Sequence, residues 1–216
     1  MNDHAPGDDD VYAPPRPEAA IWVPAHTTPD GFLPADLILC HGDRLIHRFV
    51  QIGQRLRMLL AGVDTRRDRR DWRHYDHVAV FVGDATFPDG TITPACIEAL
   101  PGKEGVRLTP LSAFESREYH HVPVDMVDHD RAQAVDYCYA CLPLSYGLFL
   151  HYLGMVATTL TGGSLTLSGG QQEICSSMAA QALVRGPYIW DRPPAAMMPA
   201  DLARHFNVRP KRDTPS

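Results

Sequence analysis

The chain has 216 residues, 44% of them hydrophobic, and a formal charge of −6. That composition supports one domain with a sizeable core, and the acidic balance leaves no electrostatic footprint for nucleic acid. Residues 1–17 are polar and proline-rich and read as a disordered leader, residues 18–208 as a single domain, and residues 209–216 as a flexible tail.

In chain order, the first element is "ADLILCHG" (35–42), an apolar run stopped by glycine and expected as a strand. A helix is expected over 43–62, with Leu45, Phe49, Ile52 and Leu56 at helical spacing and Gly62 as its stop. "DTRRDRRDWR" (64–73) sets five arginines among three aspartates. It reads as a solvated loop, with a docking patch for an anionic surface as the other reading. "YDHVAVFVGD" (75–84) alternates as a strand, "PACIEAL" (94–100) is a second, and "GDATFPDGTITP" between them carries the Asp-Gly of a turn. Two more strands are expected over 105–111 and 118–125, then helices over 129–142, 146–160 and from about 171 or 172 to 185. Gly186 and Pro187 close the last of these. Clustered strands followed by helices predict an α+β fold with an antiparallel sheet.

The apolar stretch 142–160 has the length of a membrane span, but Pro143, Ser145, His151 and two tyrosines argue for a buried helix or part of an apolar groove. No transmembrane span is expected, and no basic start followed by an apolar run suggests secretion, so the expected address is cytoplasmic. The five cysteines, an odd number without framework spacing, are expected to be reduced. Cys138 and Cys141 spell C-x-x-C, yet Val135, Cys138 and Leu142 share one helical stripe and no second ligand pair follows. Core packing is therefore expected there rather than zinc or redox chemistry.

Cys175 is the residue that raises a question of chemistry. It lies in the first turn or so of its helix, where unpaired amides and the helix dipole favour an anion such as a thiolate. Met178, Ala179 and Ala182 continue its apolar stripe, so a nucleophile and a buried structural thiol both fit. A thiol nucleophile needs a base, and the base needs an orienting partner. On the strand at 75–84, Val78, Val80 and Val82 form the core face, and His77 takes the other face with Tyr75, Ala79 and Phe81. Tyr75 is accordingly a candidate substrate contact. Glu98, a carboxylate inside a short apolar strand, is the candidate orienter, a surface-facing position being its other reading. His74, His120 and His121 read as solvated.

Taken in series, "LPADLILCHG", "YDHVAVFVGD", "CIEAL…GVRLTPLSAF", "AVDYCYACLPLSYG" and "EICSSMAAQAL" resemble the circularly permuted papain-like hydrolases of the NlpC superfamily, in particular the YiiX-like group, over about residues 33–207. The resemblance implies a permuted papain-like fold with Cys175 as nucleophile, His77 as base and Glu98 as the third member, and no metal or other cofactor. It matches Tyr146 to a tyrosine that helps frame the site. Asp76 stands where such proteins often carry serine, and "CSSM" follows where glutamate is common.

The expected function is a cysteine-dependent hydrolase or acyltransferase acting on an amide, ester or thioester of a small-molecule, lipid or peptide substrate. Peripheral membrane contact is compatible with it. The apolar 146–160 stretch, with "TGGSLTLSGG" (161–170) as a lid, leans towards an acyl chain over a cell-wall peptide. The rival of another class is a non-catalytic peptide- or lipid-binding module on the same fold.

Overall fold

A computed structural model describes residues 20–27, 30–40, 75–100, 105–142 and 175–208, together with the backbone of 145–146 and 172–173. The expected helices over 43–62 and 146–160, the arginine-rich loop and the glycine-rich stretch before Cys175 lie largely or wholly outside the described residues. What is described is α+β. Strands β1 (Ile21–Val23), β2 (Leu37–Cys40), β3 (His77–Thr86), β4 (Ile92–Leu100), β5 (Gly105–Pro110) and β6 (Tyr119–Val122) build one antiparallel sheet in the order β1-β6-β2-β3-β4-β5. Helices α1 (Asp128–Cys141), α2 (Cys175–Leu183) and α3 (Pro199–His205) follow in the chain. A short parallel pair, β7 (Ser145–Tyr146) with β8 (Gln172–Glu173), leads to the start of α2.

The alternation of apolar residues decides the two faces of the sheet. Leu37, Leu39, Val78, Val80, Ile97, Ala99 and Val122 form one core with Met178, Ala179, Ala182 and Leu183 of α2. On the opposite face Ile38, Cys40, Ala79, Phe81 and Cys96 pack with Leu111 and Phe114 of a 3-10 turn and with Tyr119. A strand buried on both faces reads as a near-continuous apolar run, which describes β2 and the first half of β3.

Strands β3 and β4 both extend past their expected limits, leaving a tight turn at Phe87–Gly90, where Gly90 takes a φ of 84°. Their ladder contains a register shift between Phe81 and Gly83. Gly83, with φ 85°, occupies the left-handed region that glycine enters freely. This bulge decides the site. Continuing the register of Thr86 opposite Ile92 would set Glu98 opposite Val80, on the helix side. With the extra residue, Glu98 lies opposite Ala79, on the face of His77.

Several expectations are corrected. Strand β1 and helix α3 were not anticipated, although α3 carries legible signals: Pro199 at its first turn, an Asp201 carboxylate accepting from the Met198 amide at 3.0 Å, and Arg204 and His205 in its last turn. Helix α2 begins at Cys175 itself, because Gln172–Glu173 pairs as a strand instead. Tyr75 packs on the helix side with the valines rather than beside His77, since regular strand alternation starts only at His77. His120 and His121 are buried, because β6 is an interior strand between β1 and β2.

His121 belongs to a buried charged cluster that staples the sheet to α1. Asp36 Oδ2 accepts from His121 Nε2 at 2.8 Å and from the Leu33 amide at 3.0 Å. Its Oδ1 accepts from the Val124 amide and from Arg131 Nη1, both at 3.0 Å. Arg131 also donates to the carbonyls of Met126, Pro34 and Val124. Burial opposes ionisation of Asp36, but these donors outweigh it and hold the carboxyl below its usual value.

Candidate active site

Cys175 opens α2 and His77 opens β3, so the site forms where a helix N-terminus meets the start of a central strand. The Cys175 thiol lies beside the His77 ring, close enough to act on it as a hydrogen-bond partner. On its other side, His77 Nε2 lies 2.7 Å from Glu98 Oε2. That contact occupies Nε2 and leaves Nδ1 as the ring nitrogen for the thiol. The structure thus brings Cys175, His77 and Glu98 into one row, with His77 and Glu98 both buried. Register accounts for the second contact. Two residues along β3, Ala79 faces Glu98, so the carboxylate is His77's diagonal neighbour on the same face.

Glu98 is held by more than the histidine. Its Oε1 accepts from Thr109 Oγ1 at 2.7 Å, from Arg107 Nε at 3.2 Å and from Arg107 Nη2 at 3.1 Å. Arg107 stands opposite Glu98 on β5, and Thr109 is two residues further along the same face. The sequence reading did not single out either residue. The alternation of Arg107 and Thr109 in "GVRLTPL" was the available signal, a polar pair beside a strand already suspected of carrying a carboxylate.

Electrostatics follow from this geometry. For Glu98, burial raises the carboxyl, but hydrogen bonds from His77 and Thr109 and the charges of His77 and Arg107 bring it down to about 2. For His77, burial disfavours the cation, but hydrogen bonds to Cys175 and Glu98 prevail and raise the ring to about 10. The imidazolium–carboxylate pair is therefore the folded state's form at neutral pH.

The two groups act on stability at opposite ends of the pH range. A carboxyl lowered from 4.5 contributes stability that is complete above about 4.5 and lost as pH falls through about 2. An imidazole raised from 6.5 contributes stability that is complete below about 6.5 and lost as pH rises through about 10. The pair stabilises fully only between about pH 4.5 and 6.5. Urea midpoints measured against pH should show wild type losing its advantage over His77→Gln on both sides of that window. A constant difference from pH 3 to 10 would contradict the pairing.

Tyr75 is buried and its hydroxyl lies 3.0 Å from His120 Nδ1. Tyr146 is on β7, whose partner β8 precedes α2 by a single residue; its backbone register opposes Glu173. Cys138 and Cys141 are buried in the packing of α1, as the helical stripe suggested for Cys138. All five cysteines are free. Burial pushes the Cys40 thiol up to about 12 and raises those of Cys96 and Cys138 strongly, which makes these three inert packing groups.

Among the described residues, no cluster of His, Cys, Asp and Glu is arranged to hold a metal ion, and no helix is long and apolar enough to cross a membrane. The chain matches no family model, and comparisons with curated proteins and with solved structures return no match to it.

Proposed function

We propose that this protein is a cysteine hydrolase or acyltransferase built on a circularly permuted papain-like fold. The observation that carries the reading is the row Cys175–His77–Glu98 at the N-terminus of α2. A thiol, an imidazole and a buried carboxylate in that order are the parts of a nucleophile, its base and the base's orienter. The resemblance of the motif series to permuted papain-like hydrolases supports the same roles for the same three residues.

In the proposed reaction the thiol proton already resides on His77 before attack, and Cys175 Sγ adds to the carbonyl carbon of an ester, thioester or amide. His77 then returns that proton to the leaving group, giving an acyl-enzyme that water or a second acceptor resolves. Glu98 keeps the ring oriented with Nε2–H towards itself and stabilises the imidazolium. First-turn amides of α2, which lack intrahelical acceptors, are the natural donors to the developing oxyanion. Free cysteines suit a reducing compartment such as the cytoplasm.

The test is to trap the acyl-enzyme. Incubation of the full chain with a chromogenic acyl ester, followed by acid quench and peptide mass spectrometry, should find the acyl group on the Cys175 peptide. His77→Ala should not accumulate it. Acyl groups spread evenly over all five cysteines, at the same rate in wild type and His77→Ala, would refute the proposal. A second series with short cell-wall peptides separates peptide from acyl-lipid substrates.

A further inference from the structure

The two donors behind Glu98 form a directed hydrogen-bond relay. Arg107 Nε lies 3.2 Å from Thr109 Oγ1 as well as 3.2 Å from Glu98 Oε1. Arginine nitrogens only donate, so the Thr109 oxygen accepts from Arg107. Its single hydroxyl proton is then free to point at Glu98 Oε1, 2.7 Å away. All three bonds on Oε1 thus arrive from donors on β5, while the close contact of Oε2 is with His77.

We infer that Thr109 and Arg107 are positioning residues, which hold Glu98 as an acceptor-only carboxylate with Oε2 committed to His77 Nε2. The inference rests on the roles proposed above for His77 and Glu98. Without these donors Glu98 could rotate about its last torsion, or take up a proton and present a hydroxyl to the ring. Either change frees the His77 ring from the orientation that keeps Nδ1 facing Cys175.

The two donors divide the work by exposure. Thr109 is buried, so its contribution is geometric and indifferent to salt. The Arg107 side chain is 44% exposed against 1% for Glu98, so its contribution is a charge that solvent ions screen. Among the described residues, the groups that face Glu98 are His77 from β3, Arg107 and Thr109 from β5, Cys40 from β2 and the neighbouring Cys96 on β4. Of these, only His77 and Arg107 are cationic.

The experiment uses the full chain labelled at glutamate carboxyl carbons and histidine ring nitrogens, with Glu98→Gln and His77→Gln spectra to assign the two signals. Thr109→Val and Arg107→Gln should each raise the Glu98 titration midpoint by about one unit, at pH values where circular dichroism shows a folded protein. Neutral His77 should pass from one tautomer to a mixture. Thr109→Ser should restore both signals. Roughly half-molar salt should shrink the Arg107→Gln shift and leave the Thr109→Val shift in place.

If Thr109→Val fails to fold, Arg107→Gln with its salt dependence carries the test alone. A purely structural staple between β4 and β5 would lower the melting temperature without moving the Glu98 midpoint or the His77 tautomer, and that result overturns the inference. These signals need no turnover. A wild-type protein inactive on every substrate would count against the hydrolase reading while leaving this inference to stand or fall on the spectra.

Discussion

Cys175→Ala and Cys175→Ser should lower the hydrolysis of a generic acyl ester by about a thousandfold or more while leaving the melting temperature within a few degrees of wild type. The reason is the disproportion between what the sulfur does chemically and what it fills. Either variant removes or replaces one heavy atom at the start of α2, where Met178, Ala179 and Leu183 still bury the helix. A serine hydroxyl beside the same imidazole lacks the acidity that makes a thiol a nucleophile there. Cys138→Ala is the comparison. It leaves a void in the packing of α1 and costs stability, but it lies outside the row and should leave turnover near wild type. Thermal melts and initial rates on the three variants decide the matter. If Cys175→Ala lowers the melting point sharply and leaves hydrolysis unchanged, Cys175 is a core residue and the proposed function is wrong.

The largest expected loss of stability comes from a carboxylate outside that row. Asp36→Ala removes the common acceptor of His121, Arg131 and the Leu33 and Val124 amides. Arg131 keeps its three carbonyl acceptors but loses its counter-charge in a buried setting. Breaking a buried ion pair from one side costs about 3–5 kcal/mol, a large part of the roughly 5–15 kcal/mol by which domains are stable. Soluble yield should fall steeply, and any folded fraction should unfold at a much lower urea concentration. Asp36→Asn keeps the shape and two acceptor lone pairs but not the charge, and should fall between. An unchanged urea midpoint in Asp36→Ala would show that the cluster contributes nothing net to folding. Protonating Asp36 at low pH should weaken the wild type in the same way, since it removes the same counter-charge.

The local pattern of residues was enough to find β2, β3, β4, β5, β6, α1 and α2 to within a few residues at most ends. These elements depend on apolar periodicity and on glycine and proline stops, which are properties of neighbouring residues. The same pattern singled out Cys175, His77 and Glu98, because a thiol at a helix start, a histidine opening an apolar strand and a carboxylate inside another are each visible along the chain. It could not show that they meet. Glu98 reaches the face of His77 only through the one-residue bulge at Gly83, and side-chain parity is blind to an extra residue until the strands are paired. The burial of His120 and His121 was hidden for a similar reason. A histidine pair reads as solvated until β6 is found between β1 and β2, with Asp36 and Arg131 arriving from 85 residues upstream and ten downstream of His121 to compensate it. Arg107 and Thr109 acquired their roles the same way, by standing across a ladder from a carboxylate. Periodicity determines which elements form. Long-range register determines which polar groups share a face, and therefore which of them can act together.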